Sequence, residues 1–138
     1  MPKAAFSADF WCYSDAPLDE LFSRFRESFP VDEAGFVHDS ENVWEWFGGL
    51  TADQSIGFNI TRPHEDVDEF GLERRPIPNT PVVFRLLLDG SEAFVDVGQR
   101  LSGALGIEVH YGKVTYVRGD EFKFEVEQSF PPPQRLSV

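Results

Sequence analysis

The sequence predicts an α+β domain, a ferredoxin-like or related two-layer sandwich in which an antiparallel sheet carries two helices on one face. Three observations predict it: strand-period alternation near both ends, two stretches with apolar residues at helical spacing, and two strand-helix-strand units in succession. A more strongly curved antiparallel sheet with helices on its concave side would use the same elements. At 138 residues the chain suits one domain, expected over residues 1–130, with a Pro-rich tail over 131–138.

From Ala5 to Ser14, Phe6, Ala8, Phe10 and Cys12 alternate with Ser7, Asp9, Trp11 and Tyr13, the period of a half-buried strand. Asp15 and Pro17 suit a helix start, and Leu18, Leu21, Phe22, Phe25 and Phe29 repeat at helical spacing until Pro30. This helix should lay a Phe-rich stripe on the sheet. Residues 31–42 are polar and contain Gly35, so they read as a loop before a strand over Val43 to Phe47. Gly48-Gly49 and Ala52 to Ser55 read as a turn region. Ile56, Phe58 and Ile60 then complete a hairpin that Pro63 is expected to end.

An acidic loop and connector should fill His64 to Pro81, where Pro76, Pro78 and Pro81 bias their predecessors towards extended backbone. Val82 to Leu88 reads as a strand, Asp89-Gly90 as a turn and Ser91 as the cap of a second helix with Phe94, Val97, Leu101 and Leu105 on one face. Gly98 lies on or beside that face and would allow close approach to the sheet, and Gly106 suits the helix end. A closing hairpin follows over Ile107 to Gln128, with Gly119-Asp120 as its turn and Phe122, Phe124 and Val126 alternating with charged residues. Arg118-Gly119-Asp120 is that turn rather than an adhesion motif.

Charge is distributed unevenly. Residues 1–69 hold fifteen Asp or Glu against four Lys or Arg, whereas residues 70–138 hold nine against eight, within a net charge of −12. Such a surface repels phosphate backbones and anionic lipid headgroups, so direct nucleic-acid and membrane binding are disfavoured. It favours encounter with a basic protein. The longest apolar runs, such as Leu86-Leu87-Leu88, fall far short of the roughly 20 residues of a membrane-spanning helix. The single Cys12 excludes an internal disulfide, and residues 1–20 lack the pattern of a secretory signal, so a cytoplasmic protein is expected.

No catalytic or cofactor motif stands out, and neither an enzyme, a metal nor a cofactor is expected. His64-Glu65-Asp66-Val67-Asp68-Glu69-Phe70-Gly71 resembles the start of a calcium loop, but Phe70 takes a ligand position and Ile77 stands where the closing Glu belongs. Cys12 shares the apolar face of its strand and has no neighbouring cation to activate it. His38, His64 and His110 are scattered. Gly98, Gly103 and Gly106 fall within a helix and lack the Gly-Lys-Ser or Gly-Lys-Thr of a phosphate cradle.

Two segments combine carboxylates with aromatic rings. In Asp39-Ser40-Glu41-Asn42-Val43-Trp44-Glu45-Trp46-Phe47, alternation puts Trp44 and Trp46 on one face and Val43, Glu45 and Phe47 on the other. Turned outward, the two indoles are candidate hot-spot residues; turned inward, they cover a sheet edge or a second layer of the core. The second segment, Glu65 to Glu73, supplies Glu65, Asp66, Asp68, Glu69, Phe70 and Glu73. With Asp39, Glu41, Trp44 and Trp46 these form the expected partner-binding set.

In size, acidity and these two segments the chain resembles, as a class, the small acidic cytosolic immunity proteins that neutralise bacterial toxins. The resemblance implies a domain that binds a protein with a basic surface, such as the cleft of a cognate toxin, without performing chemistry. A non-inhibitory assembly or adaptor role is the alternative, and after it a small-ligand module or an enzyme whose site is assembled only in three dimensions. The sequence leaves the oligomeric state open.

Overall fold

The computed structural model describes residues 6–41, 44–66, 74–76, 81–88, 94–118 and 121–132. The elements run β1 (Phe6–Tyr13), α1 (Leu18–Ser28), β2 (Val37–Glu41), β3 (Trp44–Leu50), β4 (Gly57–Asp66), β5 (Arg74–Pro76), β6 (Pro81–Leu88), α2 (Phe94–Leu105), β7 (Val109–Arg118) and β8 (Glu121–Phe130). The expected turn at Asp89-Gly90, the cap at Ser91 and the Gly119-Asp120 turn lie outside the described residues.

α1 forms where the apolar spacing places it. The Pro17 carbonyl accepts from the amides of Glu20 and Leu21, Asp19 and Glu20 occupy the first turn and Arg26 the last, which suits the helix dipole. Leu18, Leu21, Phe22 and Phe25 are buried. The Phe22 ring stacks on Phe47 at 4.1 Å, and Phe25 meets Phe58 and Phe84. α2 buries Val97, Gly98, Leu101 and Leu105 and ends at Gly106, whose φ of 71° is the left-handed value glycine adopts without strain. The helices are tied together by Arg24 Nη1 donating to the Leu105 carbonyl at 3.1 Å and by Arg100 Nη2 donating to the Ser28 carbonyl.

Seven strands form one antiparallel sheet in the order β2-β3-β4-β6-β1-β7-β8, and β5 pairs with the far end of β4. The α+β class and antiparallel sheet agree with the sequence, but the sheet is larger than a ferredoxin-like two-layer sandwich. In its middle, β1 and β6, which open the two strand-helix units, pair side by side over their whole length, with β4 beyond β6 and β7 beyond β1. The enlargement comes from β2 and β3 on one flank and β8 on the other.

Local differences from the sequence expectation have physical causes. The polar stretch read as a loop contains β2, which as an edge strand needs no apolar alternation to remain in place. β3 continues through Gly48 and Gly49, because β4 supplies partners at Asn59 and Phe58. β4 runs past Pro63 to Asp66. Its pairing with β6 ends at Thr61, so Pro63 sits where one flank of the strand has no β6 neighbour to receive an N–H. β8 ends at Phe130, and Pro131 and Pro132 follow without regular structure.

Candidate functional site

Successive side chains of a strand point to opposite sides, so the register divides the sheet into two surfaces. On one, Phe47, Ile60, Phe84, Phe10 and Tyr111 stand in a row across β3, β4, β6, β1 and β7. The first four join the buried residues of α1 and α2 in one core, against which Tyr111 packs. The other surface has its own small cluster of Trp11, Val83 and Val114, flanked by Phe124, to which neither helix contributes.

A second row crosses this open surface from edge to edge: Asp39, Trp46, Thr61, Val83, Trp11, His110 and Ser129. Trp11, at its centre, is only 1% exposed beneath the rings of Phe124 and His110 at 4.8 and 5.9 Å. His110 Nδ1 hydrogen-bonds with Ser129 Oγ at 2.8 Å. At the other end Trp46 is half-buried and Asp39, directly opposite it in β2, is exposed. The structure thus brings together two residues of the expected partner-binding set.

Of the remaining set, Glu41 pairs with Trp44 one step further along the same hairpin, although their side chains are not described. Glu65 and Asp66 lie in β4, opposite Arg75 and Arg74 of β5. Asp68, Glu69, Phe70 and Glu73 lie outside the described residues. Because Trp44 pairs with Pro63, the β2–β3 hairpin and the 64–66 end of β4 share one corner of the sheet.

Charge follows the strand order. β2 and β3 contain Asp39, Glu41 and Glu45 and no Lys or Arg, whereas β7 and β8 balance Glu121, Glu125 and Glu127 with Lys113, Arg118 and Lys123. Within the acidic hairpin Glu45 Oε2 and His38 Nε2 are 2.8 Å apart, and the His38 ring stacks on Phe47 at 4.1 Å. Glu45 lies opposite Arg62, which is 2% exposed on the core side and whose Nε and Nη1 have no hydrogen-bond partner among the described residues. Burial lowers the Arg62 pKa, and the nearby carboxylate of Glu45 acts most strongly against that shift.

The surroundings do not favour nucleophilic chemistry at Cys12. Burial pushes its thiol up to about 12, with the Arg62 charge opposing only in part. A cavity of about 170 Å³ between the end of α1 and the β3–β4 turn is lined by Phe29, Thr51, Asp53, Ser55 and Arg100 among others. Small-molecule sites usually occupy roughly 300–1,000 Å³. Its polar groups are engaged locally: Asp53 accepts from Thr51 Oγ1 and from the Ser55 amide and hydroxyl, which hold its carboxyl down at about 2. Arg100 lies over the Phe29 ring at 4.3 Å. Among the described residues no group of three or more His, Cys, Asp or Glu could hold a metal ion, and no helix is long and apolar enough to cross a membrane.

Sequence reasoning did not single out Trp11, or the Arg85 Nε to Asp9 Oδ1 bridge at 2.8 Å in the next row of the open surface. The bridge joins residues 76 positions apart, so no local pattern marks it. No family model matches the chain, and neither a curated protein nor a solved structure matches it.

Proposed function

We propose that the chain is a cytoplasmic protein-binding domain that captures a basic partner at the acidic β2–β3 end of its open sheet surface, and that it acts as an immunity protein or inhibitor by covering that partner's active cleft. The observation that carries this reading is the direct cross-strand pairing of exposed Asp39 with half-buried Trp46 on a surface to which neither helix contributes. An indole that can be desolvated beside carboxylates that steer and pair with Arg or Lys is the combination that concentrates interface energy. β2 and β3 contain no Lys or Arg, and Asp39 lies on the same side of their ladder as Trp46, which gives this hairpin its claim.

The test is co-expression with the product of the neighbouring gene, followed by titration of the purified pair at two ionic strengths. A stoichiometric complex that weakens with salt and loses about thirtyfold in affinity on Trp46→Ala or Asp39→Lys supports the proposal. Unchanged affinity in both variants overturns the assignment of the face. An adaptor would bind through the same face yet leave its partner's activity intact, so an activity assay on the complex separates inhibition from assembly.

A further inference from the structure

We infer that the opposite edge of the sheet, β8, is a self-association surface through which two copies join into one continuous antiparallel sheet. Among the described residues β8 pairs with β7 alone. From Lys123 to Ser129 every residue is exposed except Phe124, which is half-buried, and Val126 is 56% exposed. A long exposed edge is a template for another strand unless charge or irregularity blocks it. Two irregularities bound a regular stretch: Gly112 pairs with Val126 and Tyr111 with Gln128, so Glu127 is bulged, and a second register shift between Tyr116 and Arg118 falls opposite Glu121 and Phe122, leaving Phe122 to Val126 regular.

That stretch is self-complementary. In a two-fold arrangement centred on Phe124, positions 122–126 of one copy meet positions 126–122 of the other, and pairing stops before the bulge. Lys123 of each copy then falls opposite Glu125 of the other, Phe124 opposite itself and Val126 opposite Phe122. Opposite charges and aromatic pairs directly across an antiparallel pair are stabilising, whereas like charges there are destabilising. Shifting the centre to Glu125 would set two like charges face to face and draw Glu127 into the pairing. A chain of net charge −12 should resist self-association in general, but strands β7 and β8 carry three acidic and three basic residues and are the more balanced end of the sheet. The partner-binding hairpin at the other edge would stay free in such a dimer.

Sedimentation velocity over a concentration series tests this on the intact chain, with circular dichroism confirming that each variant is folded. The wild type should shift from monomer to dimer, and Lys123→Glu or Glu125→Lys alone should weaken the dimer about thirtyfold, because two attractive pairs become repulsive. The combined Lys123→Glu and Glu125→Lys variant should regain it. Mild oxidation of a Phe124→Cys variant should yield a disulfide-linked dimer, since residue 124 faces its own copy. A wild type that stays monomeric at millimolar concentration overturns the inference, as does a dimer that survives both single reversals or a double reversal that fails to restore it.

Discussion

Glu45 of β3 stands directly opposite Arg62 of β4, which among the described residues is the one buried charged side chain. Among the described residues nothing accepts a hydrogen bond from two of the three guanidinium nitrogens, so the carboxylate across the ladder is the main compensation for a desolvated charge. Removing it should cost more than removing the cation. Glu45→Gln is expected to destabilise the domain by about 2 kcal/mol, somewhat below the roughly 3–5 seen when a fully enclosed contact pair is broken. Arg62→Met, which keeps the apolar stem, should be neutral or stabilising. Urea unfolding of the two single variants and the double variant at pH 7 checks both signs.

Two tryptophans on one row of the open surface should respond in opposite ways. Trp11→Ala empties a site that is 1% exposed and should cost about 3–5 kcal/mol of stability. Trp46→Ala removes a half-buried ring from the flank and should cost about 1 kcal/mol or less, while weakening partner binding. Thermal melts of both variants alongside binding titration of the second separate a stabilising indole from a binding one.

Gly98 of α2 lies directly against the ring of Phe130 at the end of β8. A Cβ there would sit 2.4 to 2.6 Å from three ring atoms of buried Phe130. Gly98→Ala gains roughly 1 kcal/mol in helix propensity, but overpacking a fixed core ring usually costs about 1–3 kcal/mol. The steric effect should win, and a lowered denaturation midpoint with an unchanged slope would register it.

Cys12 links stability to alkaline pH. Its folded pKa, about 12, lies above the ordinary thiol value near 9, so the folded state holds the proton longer than the unfolded chain. The contribution is therefore intact below pH 9 and is lost as pH rises from 9 towards 12, at about 1.4 kcal/mol per pH unit for this one group. Cys12→Ala should flatten that part of the stability profile, at the expense of a small cavity. In the native protein at pH 7, labelling by a thiol reagent should be slow and should accelerate on unfolding.

Much of the fold was legible because periodicity is local. The Phe stripe of α1, the alternation of β1 and the face of α2 each report which side of one element must leave water, and the structure buries those sides. β2 was not legible, since an edge strand lacking a strict apolar face has no periodic signature. Pro63 was misleading for a related reason: whether it ends a strand depends on which neighbour needs its missing N–H, and that neighbour is β6.

The candidate site divides in the same way. Alternation alone placed Trp44 and Trp46 together, away from Glu45 and Phe47, and composition located the excess acid in the first half of the chain. Only the tertiary structure decided that Phe47 faces the helices and leaves Trp46 to the open side, that Trp11 is covered while Trp46 is not, and that Arg62 is enclosed. It also decided that the acidic hairpin and the more balanced strands β7 and β8 lie at opposite edges of one sheet. A sequence specifies which face of each element is apolar through neighbours three or four residues away. The order in which strands pair is set by contacts between residues far apart in the chain, where burial and charge are shared between elements that no local window contains.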